Sequence, residues 1–517
     1  MQLLESGSGV GGTWYWNRYP GARFDSESYT YGYLFSDELF HEWEWSEHFA
    51  GQPETERYLN HVVDRFDLRR HMRFGARVQT TTWDQASSTW LVTTDDGDTV
   101  RARFVVAATG VLSVPYFPDV PGRDDFLGES YHTGLWPAAP VDFAGKRVAV
   151  IGTGSSGVQL VPAVAGEVAS LTVYQRTANW CTPLNNGPIR SVEQAQLRAD
   201  FEAIREILNT SMHGFLHEPH DRNAFDDQRE ERWAFFEKMW KSPGFSKLTS
   251  NYLDLLADAD ANAEWCEFLA GKIRSIVLDP ATAERLIPKD HRFGEKRPPF
   301  VTSYYETFNR AKVSLVDLQE SPIVRITERG IETAEGEREF DIIVWATGFD
   351  FGTGALLRMG IRGQDGLALA DHWADGPMTF LGVQTAGFPN LFFPGGPHAA
   401  AGNNPRYNGD QVDFVTDALV YARDGGFDVI DVTPEAETRW CEMIERNVGL
   451  SPFTEKSYYY GTNVPGKPRR FLLNSAGRLK LFKEIQRVRD TDYAAFTLSR
   501  SASSASPRFP EGAAAER

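Results

Sequence analysis

The sequence predicts an α/β protein with parallel sheets, in which a helical segment interrupts the strand pattern. Strand-like and helix-like patterns alternate through most of the 517 residues, which is typical of parallel sheets covered by helices. A complete succession of strand, glycine loop, helix and second strand occupies residues 146–176. Two apolar segments, residues 103–115 and 341–350, flank this unit, and each ends in a glycine turn. Both segments are expected to be buried strands.

The composition excludes several classes of function. The formal net charge of −18 repels nucleic-acid phosphates and anionic lipids, so neither a nucleic acid nor a membrane is an expected partner. No apolar stretch approaches the roughly 20 residues that span a bilayer, and the chain does not open on a basic and then apolar leader. A cytoplasmic location is therefore expected. Cys181, Cys266 and Cys441 lie too far apart for a redox pair or a zinc site, and no metal site is expected.

The opening residues, MQLLESGSGVGG, read as the second half of a nucleotide-binding unit. In a complete unit, an acid at the end of the second strand binds ribose and follows the phosphate-binding glycines by about 20 residues. Glu5 fits the place of this acid, but only four residues precede it. The first strand, the phosphate-binding turn and most of the first helix are therefore expected to be absent from this chain.

The next segment, GGTWYWNRYPGARFDSESYTYGY (residues 11–33), is the richest in aromatic residues. A hydrophobic cluster under a loop would account for Trp14 and its neighbours. Asp25 is harder to explain in that way, because it lies between Arg23 and a run of tyrosines, and a buried acid needs a partner. Asp25 is therefore a candidate functional residue.

Residues 146–176, KRVAVIGTGSSGVQLVPAVAGEVASLTVYQR, contain GxGxxG between an apolar strand and an amphipathic helix, which predicts a Rossmann-like dinucleotide site. Gly152 is expected to make the tight turn, Gly154 to let the backbone approach a pyrophosphate, and Gly157 to pack the helix on the strand. The phosphates would then lie at the helix N-terminus.

Arg176 stands where an NAD-binding unit carries an acid for the ribose hydroxyls. An arginine in this place would meet a 2′-phosphate, so NADPH is favoured over NADH. The alternative is a surface arginine at the end of a strand, without a role in binding.

Residues 126–137, FLGESYHTGLWP, match the pattern FxGxxxHxxxW with Phe126, Gly128, His132 and Trp136 in register. The segments GGTWYWNRYPGARFD, QRTANW, FGEKRPPF, YYETFNR and VPGKPR match further landmarks of the same family. The chain thus resembles the type I Baeyer–Villiger monooxygenases, such as the phenylacetone and cyclohexanone monooxygenases. Trp136 separates it from the related flavin-containing N-oxygenating monooxygenases, which carry Phe or Tyr at that position.

The resemblance implies two Rossmann-like domains, one for FAD and one for NADPH, without an obligate protein partner. It implies that reduced flavin reacts with molecular oxygen, and that the resulting C4a-peroxyflavin attacks a ketone to give an ester or lactone. The implied organisation comprises a first part of the FAD domain (1–137, incomplete at its N-terminus), an NADPH domain (138–345) with a helical insertion at about 190–290, and a second part of the FAD domain (346–498). The Ser/Ala/Pro-rich tail, residues 499–517, is expected to be disordered.

The resemblance also implies roles for individual residues. The peroxyflavin and the tetrahedral adduct are anionic, so the site needs a cation that keeps its charge, and Arg297 corresponds to this arginine. Asp25 corresponds to the acid that orients it, and His132 to a hydrogen-bonding hinge between the domains. The implied FAD contacts are Glu5, Gly12, Thr13, Trp14, Asp25, Tyr31 and Val78. The implied NADPH contacts are Gly152, Thr153, Gly154, Ser155, Ser156, Gly157, Arg176, Thr177 and Lys296, the last at the 2′-phosphate.

Two further features of the sequence bear on the site. Tyr458 stands where much of the family has a Trp that reaches nicotinamide and substrate, so the substrate pocket is expected to differ in shape. The segment HGFLHEPHD, residues 213–221, is expected to be a solvated loop and not a metal site, because Pro219 interrupts helical spacing.

Two other functions stay open at this point. One is N- or S-oxygenation by a flavin monooxygenase, against which Trp136 argues. The other is a pseudoenzyme that binds NADPH but has lost FAD binding, which the short N-terminus would allow.

Overall fold

A computed structural model describes residues 1–399, 402–449 and 453–500. The strands in this part of the chain are β1 (Leu3–Leu4), β2 (Met72–Arg73), β3 (Val78–Asp84), β4 (Thr89–Thr94), β5 (Thr99–Ala102), β6 (Val105–Val106), β7 (Glu129–His132), β8 (Arg147–Ile151), β9 (Ser170–Gln175), β10 (Thr182–Pro183), β11 (Phe300–Val301), β12 (Val313–Asp317), β13 (Ile323–Ile326), β14 (Gly330–Thr333), β15 (Gly336–Glu339), β16 (Ile342–Trp345), β17 (Ile361–Arg362), β18 (Leu391–Phe392), β19 (Val429–Val432) and β20 (Phe496–Ser499).

The α-helices in the same part of the chain are α1 (Thr13–Trp16), α2 (Ser28–Tyr31), α3 (Asp37–Glu42), α4 (Gln52–Arg65), α5 (Ser155–Val164), α6 (Ser191–Ala199), α7 (Phe201–Thr210), α8 (Arg229–Lys241), α9 (Ser246–Thr249), α10 (Ala259–Ile276), α11 (Pro280–Leu286), α12 (Tyr304–Thr307), α13 (Gly354–Arg358), α14 (Leu369–His372), α15 (Asn404–Asp424), α16 (Pro434–Val448) and α17 (Arg478–Asp490). Within the described ranges, none of these helices is long and apolar enough to cross a membrane.

The largest sheet is parallel and has the strand order β12-β9-β8-β16-β7. Its central strands are apolar on both faces, as a sheet covered on both sides requires. Val148 and Val344 point into the core that α5 shares, whereas Ala149 and Ile343 belong to the cluster on the opposite face. The predicted strands within residues 146–176 and 341–350 are therefore confirmed.

Strand β7 lies at the edge of this sheet, where its residues pair with β16 in the register Glu129 to Ile342 and His132 to Trp345. The sequence division at residue 137 assigned these residues to the first unit. The structure instead makes them part of the sheet that carries the GxGxxG loop, because the pairing with β16 is a long-range contact that local pattern does not encode.

The expected buried strand over residues 103–115 is wrong in extent. Only β6, Val105–Val106, is a strand here, and it pairs with β18 on one side. Val106 is 48% exposed. An apolar run predicts burial only if sheet partners cover it on both sides, and among the described residues β6 has one.

Helices α6 to α11 occupy the segment between β10 and β11. Phe236 of α8 and Trp265 and Phe268 of α10 belong to the same apolar core as α5, so the helical insertion packs on the large sheet and does not extend away from it. A separate core joins α15, α16 and α17.

The C-terminal tail lies outside the described residues from 501 onward. At its start the expectation is wrong, because Ser499 ends β20 and pairs with Val429 of β19. Two residues of the predicted tail, Ser499 and Arg500, are thus part of the ordered fold.

Candidate active site

The glycine loop between β8 and α5 has the geometry of a pyrophosphate cradle. Gly152 has a φ of +111°, and a Cβ there would lie 2.4 Å from the carbonyl oxygen of Ala346. A Cβ on Gly157 would lie 2.1 Å from the carbonyl oxygen of Gly152. A Cβ on Gly154 would meet no atom within 4 Å, so open space lies in front of the first turn of α5. These observations fit a dinucleotide whose phosphates accept hydrogen bonds from the helix N-terminus.

Two cations lie beside this cradle. Arg176 is exposed directly after β9, and the charge of its guanidinium acts on Lys296. The pKa of Lys296 is lowered, mainly by burial and also by this like charge. The nearby Asp290 carboxylate acts in the opposite direction but does not outweigh them. Because these two cations repel each other and face an exposed surface, a dianionic phosphate bound between them would be favourable. Thr153 Oγ1 donates to the carbonyl oxygen of Thr177 at 2.9 Å, which ties the cradle to the residue that follows Arg176.

Arg297 and Asp25 form an ion pair through Nη2 and Oδ1, although 272 positions separate them in the chain. Asp25 is almost fully buried, whereas 30% of the Arg297 side chain is exposed. Nη1 of Arg297 also donates to Ser155 Oγ at 3.3 Å, at the first residue of α5. The guanidinium therefore lies at the junction between the aromatic N-terminal segment and the dinucleotide cradle.

Burial alone would lower the pKa of Arg297, but the adjacent Asp25 carboxylate outweighs burial, and the pKa is raised. The guanidinium carbon also lies 5.1 Å from the centre of the Phe245 ring, a cation–π arrangement. Tyr458 lies close enough for its ionisation to couple to Arg297, and burial raises the Tyr458 pKa well above its ordinary value. Arg297 is thus a permanently charged group among aromatic rings.

The residues implied as FAD contacts lie in the N-terminal segment and at the start of β3. Glu5 Oε1 accepts from the Gly7 amide at 2.6 Å, and the Ala76 amide donates to the Glu5 carbonyl oxygen, which brings the start of β3 at Val78 next to this acid. Gly12 precedes α1 with a φ of +52°, and a Cβ there would meet no atom within 4 Å. The acid and the open glycine fit a ribose and a neighbouring phosphate or ring.

The aromatic segment that follows Gly12 is tied together by its own polar groups. Thr13 is the first residue of α1. Trp14 Nε1 donates to Tyr31 Oη at 3.1 Å, and the Tyr31 ring stacks on Phe24 at 4.3 Å. Burial raises the pKa of Tyr31 to about 12, so its hydroxyl keeps its proton. Trp14, Phe24 and Tyr31 thus form an aromatic wall, and Asp25, which follows Phe24 in the chain, pairs with Arg297.

The FxGxxxHxxxW residues take part in close packing and hydrogen bonds. A Cβ on Gly128 would lie 2.5 Å from the Phe126 ring and 2.7 Å from the Asp341 carbonyl oxygen, which explains the glycine. The Trp136 amide donates to the Trp16 carbonyl oxygen at 3.2 Å, and the Trp136 ring stacks on Phe143 at 6.2 Å. The motif therefore joins β7 and its sheet to the aromatic segment.

His132, in the same motif, is buried, and its Nδ1 accepts from the Gly134 amide at 2.9 Å. The proton of the neutral ring is accordingly on Nε2, which is buried and has no hydrogen-bond partner among the described residues. Burial lowers the pKa of His132 to about 4. The ring is neutral near pH 7, and the hydrogen bond that it accepts from the Gly134 amide holds the turn after β7.

The structure adds residues that the sequence did not single out. Lys467, in VPGKPR, donates to Asp350 Oδ1 at 2.5 Å, which ties the loop after Tyr458 to the end of the segment 341–350. Tyr19 is buried near the Arg297–Asp25 pair, and burial raises its pKa to about 12. The landmark match to VPGKPR was a signal for Lys467, whereas no local pattern distinguishes Tyr19 from its aromatic neighbours.

The solvated loop expected over residues 213–221 is wrong for its first half. Phe215 is buried, and the His217 side chain is only 9% exposed, because the ring packs against Glu27. Glu218, Pro219 and Asp221 are exposed as expected. Across the described residues, no group of three or more His, Cys, Asp or Glu side chains could hold a metal ion.

Comparison with known proteins places this geometry among relatives. A family model described as pyridine nucleotide-disulphide oxidoreductase matches residues 22–214. All three cysteines of the chain are free thiols, so the match reflects the dinucleotide-binding architecture and not a disulfide centre.

Two characterised relatives and one solved structure align with nearly the whole chain. The 2-oxo-Delta(3)-4,5,5-trimethylcyclopentenylacetyl-CoA monooxygenase of Pseudomonas putida is 43% identical over 96% of this chain and 93% of its own length. A methyl acetate-forming acetone monooxygenase of Gordonia sp. (strain TY-5) is 40% identical over 91% of this chain and 89% of its own. A crystal structure of OTEMO in complex with FAD and NADP superposes with a TM-score of 0.93 and 42% identity, covering 96% of this chain and 94% of that chain.

Proposed function

Since the chain belongs to the Baeyer–Villiger monooxygenase family, we propose that Arg297 and Asp25 are the residues with which it converts a ketone into an ester or lactone. FAD and NADPH are its cofactors, and molecular oxygen is its second substrate. The observation that carries the assignment is the Arg297–Asp25 pair beside Ser155 at the start of α5. We also propose a cytoplasmic location, where NADPH is regenerated.

Bound FAD, once reduced by NADPH, supplies oxygen activation and the transfer of one oxygen atom to the carbonyl substrate. The task of the protein is to stabilise the negative charge that develops during that transfer. Arg297 suits this task because the Asp25 carboxylate raises its pKa, so that it stays protonated although it is partly buried. The planar guanidinium also offers parallel N–H donors to an oxyanion.

Asp25 has two functions in this proposal. Its carboxylate fixes the orientation of Arg297 through Nη2, which leaves the other donors of the guanidinium for Ser155 and for bound groups. It also compensates the positive charge while the site is empty of anions, which limits the cost of burying a cation. The wall formed by Trp14, Phe24 and Tyr31 keeps Asp25 away from water.

For NADPH, we assign the 2′-phosphate to Arg176 and Lys296 and the pyrophosphate to the loop from Gly152 to Gly157. Further hydroxyl groups lie at the same helix end, on Thr153, Ser155 and Ser156. Thr177, which follows Arg176 in the chain, is assigned to the same coenzyme. Because the two cations are close enough to affect each other, a bound phosphate would relieve their repulsion.

Tyr458 is proposed to line the substrate pocket. Its ring packs against Tyr459 at 4.4 Å and Phe351 at 5.5 Å, and its hydroxyl is coupled to Arg297. Its raised pKa keeps the phenol protonated near pH 7. The hydroxyl can therefore donate a hydrogen bond, which an unsubstituted aromatic ring at this position would lack.

Product analysis tests this function. The purified 517-residue chain is supplied with FAD, NADPH, oxygen and a panel of ketones, with an amine and a sulfide in parallel reactions. We expect the flavin visible absorption band to co-purify or to be restored by added FAD, and ester or lactone to form in proportion to NADPH consumed. Oxygenation of the amine or sulfide alone, or a protein that binds NADPH but stays colourless with added FAD, would contradict the proposal.

A further inference from the structure

A second buried pair of polar side chains lies near the candidate active site, between His217 and Glu27. His217 Nε2 lies 2.6 Å from Glu27 Oε1, and the two side chains are 9% and 6% exposed. His217 Nδ1 lies 2.8 Å from Thr249 Oγ1 in α9. Both ring nitrogens are therefore engaged, and the imidazole joins the aromatic N-terminal segment to the helical insertion.

The first connection from this pair to Arg297 runs through the backbone. Glu27 follows Asp25 by two residues, and Ser28 Oγ donates to the Glu47 carbonyl oxygen at 2.7 Å and accepts from the Ala50 amide at 2.9 Å. The segment from Asp25 to Ser28 is thus held at both ends, by an ion pair at Asp25 and by hydrogen bonds at Ser28. A change at Glu27 would be transmitted to Asp25 through two peptide bonds.

The second connection runs through stacked rings. The Phe215 ring stacks on His217 at 5.6 Å and on Phe245 at 4.9 Å, with interplanar angles of 16° and 21°. Arg297 lies over the other partner in this stack, with its guanidinium carbon 5.1 Å from the Phe245 ring centre. Gly244, next to Phe245, approaches the Asp25 carbonyl oxygen so closely that a Cβ would lie 2.9 Å from it. His217 is therefore linked to both members of the Arg297–Asp25 pair.

We propose that His217 is a positioning residue, and that the His217–Glu27 pair fixes the orientation of the Arg297–Asp25 pair during oxygen transfer. This inference rests on the function proposed above. Removing the imidazole takes from Glu27 Oε1 its partner at 2.6 Å, and Oε2 of Glu27 already has no hydrogen-bond partner among the described residues. An uncompensated buried carboxylate is costly, so residues 25–27 must shift or Glu27 must take up a proton. Either change alters the position of Asp25 against Arg297.

The test compares His217→Gln, Glu27→Gln and the double variant as FAD-loaded, full-length enzymes. We expect His217→Gln to lower ester formed per NADPH consumed about tenfold, with hydrogen peroxide accounting for the remaining oxygen, while KM for the ketone and the dissociation constant of NADP⁺ change less than twofold. The double variant replaces the imidazole and the carboxylate with two amides, which can hydrogen-bond to each other and leave no buried charge. It should recover at least threefold of the coupling that His217→Gln loses.

A matched control separates positioning from general destabilisation. Glu264→Gln breaks the Arg232–Glu264 pair, which is also largely buried and lies within the same helical insertion. We expect this variant to lower the melting temperature as much as His217→Gln does while leaving the coupling of ester to NADPH unchanged. Crystal structures of the holoenzyme variants supply a second readout, because Arg297 should keep its contact with Asp25 in Glu264→Gln and change it in His217→Gln.

The outcomes separate this inference from the function on which it rests. If the wild-type chain forms no ester, the proposed function fails. If the wild type forms ester and His217→Gln does so with the same coupling, the positioning role is wrong. The same conclusion follows if the double variant is no better coupled than His217→Gln. If His217→Gln cannot be purified, Thr249→Val removes the contact at Nδ1 together with the bond that Thr249 Oγ1 donates to the Phe245 carbonyl oxygen and should lower coupling by about threefold; unchanged coupling there also overturns the inference.

Discussion

Buried cations in this region differ in how firmly they hold their charge. Lys247 is fully buried, and burial lowers its pKa to about 7 without an opposing effect from any carboxylate among the described residues. Arg297 is also affected by burial, but the Asp25 carboxylate outweighs that effect and raises its pKa. A guanidinium with a carboxylate partner is therefore the group in this region that keeps a full charge at every pH at which the enzyme works.

This difference leads to a prediction for Arg297. Arg297→Ala removes the cation, and Arg297→Lys replaces it with an ammonium that burial affects more easily and that has no fork of parallel donors. We expect ester formation to fall at least 100-fold in both, because the loss of one donor to a developing oxyanion typically costs about 10²–10³ in rate. Reduction of bound flavin by NADPH should persist within about fivefold, since that step develops no oxyanion. Product analysis and stopped-flow absorbance measure the two steps separately.

Arg292→Ala is the matched control for Arg297. Arg292 lies in the same loop, but it pairs with Glu295 and not with Asp25. This variant should form ester at close to the wild-type rate. A comparable loss in Arg292→Ala, or full ester formation in Arg297→Ala, would show that the charge of Arg297 is not what the reaction needs.

Arg176 gives a prediction about coenzyme choice. Its guanidinium is exposed after β9 and is close enough to Lys296 to lower the pKa of that lysine. We expect Arg176→Ala to raise KM for NADPH by about 10- to 100-fold, or about 1.4–2.8 kcal/mol, with little change in KM for NADH, which lacks the 2′-phosphate. Steady-state kinetics with both coenzymes measures this. An unchanged preference would mean that Arg176 is only a surface arginine.

Residues differed in how far the sequence alone could place them. Arg176 and the glycines follow from spacing within residues 146–176, since strand, loop and helix are contiguous there. The Arg297–Asp25 pair came only from family resemblance, because contacts across 272 positions leave no periodic trace. His217 was missed for the same reason: its burial depends on Glu27, 190 positions away, and the sequence around it is otherwise typical of a loop.

At the level of elements, the glycine loop separates packing from ligand binding. Gly154 and Gly157 are only three positions apart, but they have different surroundings. A Cβ on Gly157 would lie 2.1 Å from the Gly152 carbonyl oxygen, whereas a Cβ on Gly154 would enter open space. Gly166, after the end of α5, also has open space around it and lies away from the loop. These glycines form a matched set for substitution by alanine.

We expect Gly157→Ala to weaken both folding and binding, because α5 must move away from β8. Overpacking of this kind costs about 1–3 kcal/mol. Gly154→Ala should leave the melting temperature within a degree or two, yet weaken NADP⁺ binding at least tenfold, since its methyl group would occupy the pyrophosphate position. Gly166→Ala should change neither. Differential scanning fluorimetry and calorimetric titration give the two quantities, and unimpaired NADP⁺ binding by Gly154→Ala would place the pyrophosphate elsewhere.

The elements predicted best were those that local pattern determines. Strands β8 and β16 are continuous apolar runs and are buried, whereas the equally apolar run at β6 forms two strand residues with Val106 exposed. The difference lies in sheet partners, which residues 103–115 do not encode. The same limit explains β7, whose place at the edge of the large sheet depends on pairing with β16.

At the scale of the whole molecule, the FxGxxxHxxxW segment is where the aromatic N-terminal segment meets the large sheet. Trp136 bonds to the backbone of Trp16, and His132 pairs in β7 with Trp345 of β16. The Arg297–Asp25 pair spans the same junction from the other side. The candidate active site thus depends on how these parts are held together, and buried polar groups at the junction affect the stability of the whole chain.

His132 makes that stability depend on pH. Burial lowers its pKa from 6.5 to about 4 in the folded protein. Between these values the unfolded chain binds a proton that the folded chain does not, so the free energy of unfolding falls as pH decreases from about 6.5 to about 4. A shift of this size corresponds to about 3 kcal/mol at the acid end of the window. Relative to His132→Gln, which cannot titrate, the wild type should lose stability steadily across this range.

For Asp431, we expect stability to change with pH in the opposite direction, so this residue serves as an internal control. Burial raises its pKa from 3.8 to about 7, and the nearby Glu437 carboxylate adds to the shift. Here the folded chain binds the additional proton, so the wild type should gain stability relative to Asp431→Asn as pH falls from about 7 to about 4. Melting temperatures of the wild type and both variants, measured in one buffer series from pH 4.5 to 7.5, determine the two slopes. If the difference between wild type and His132→Gln has the same sign of slope as the difference between wild type and Asp431→Asn, then His132 is not held neutral by burial, and its place as an uncharged ring that accepts a hydrogen bond from the Gly134 amide is wrong.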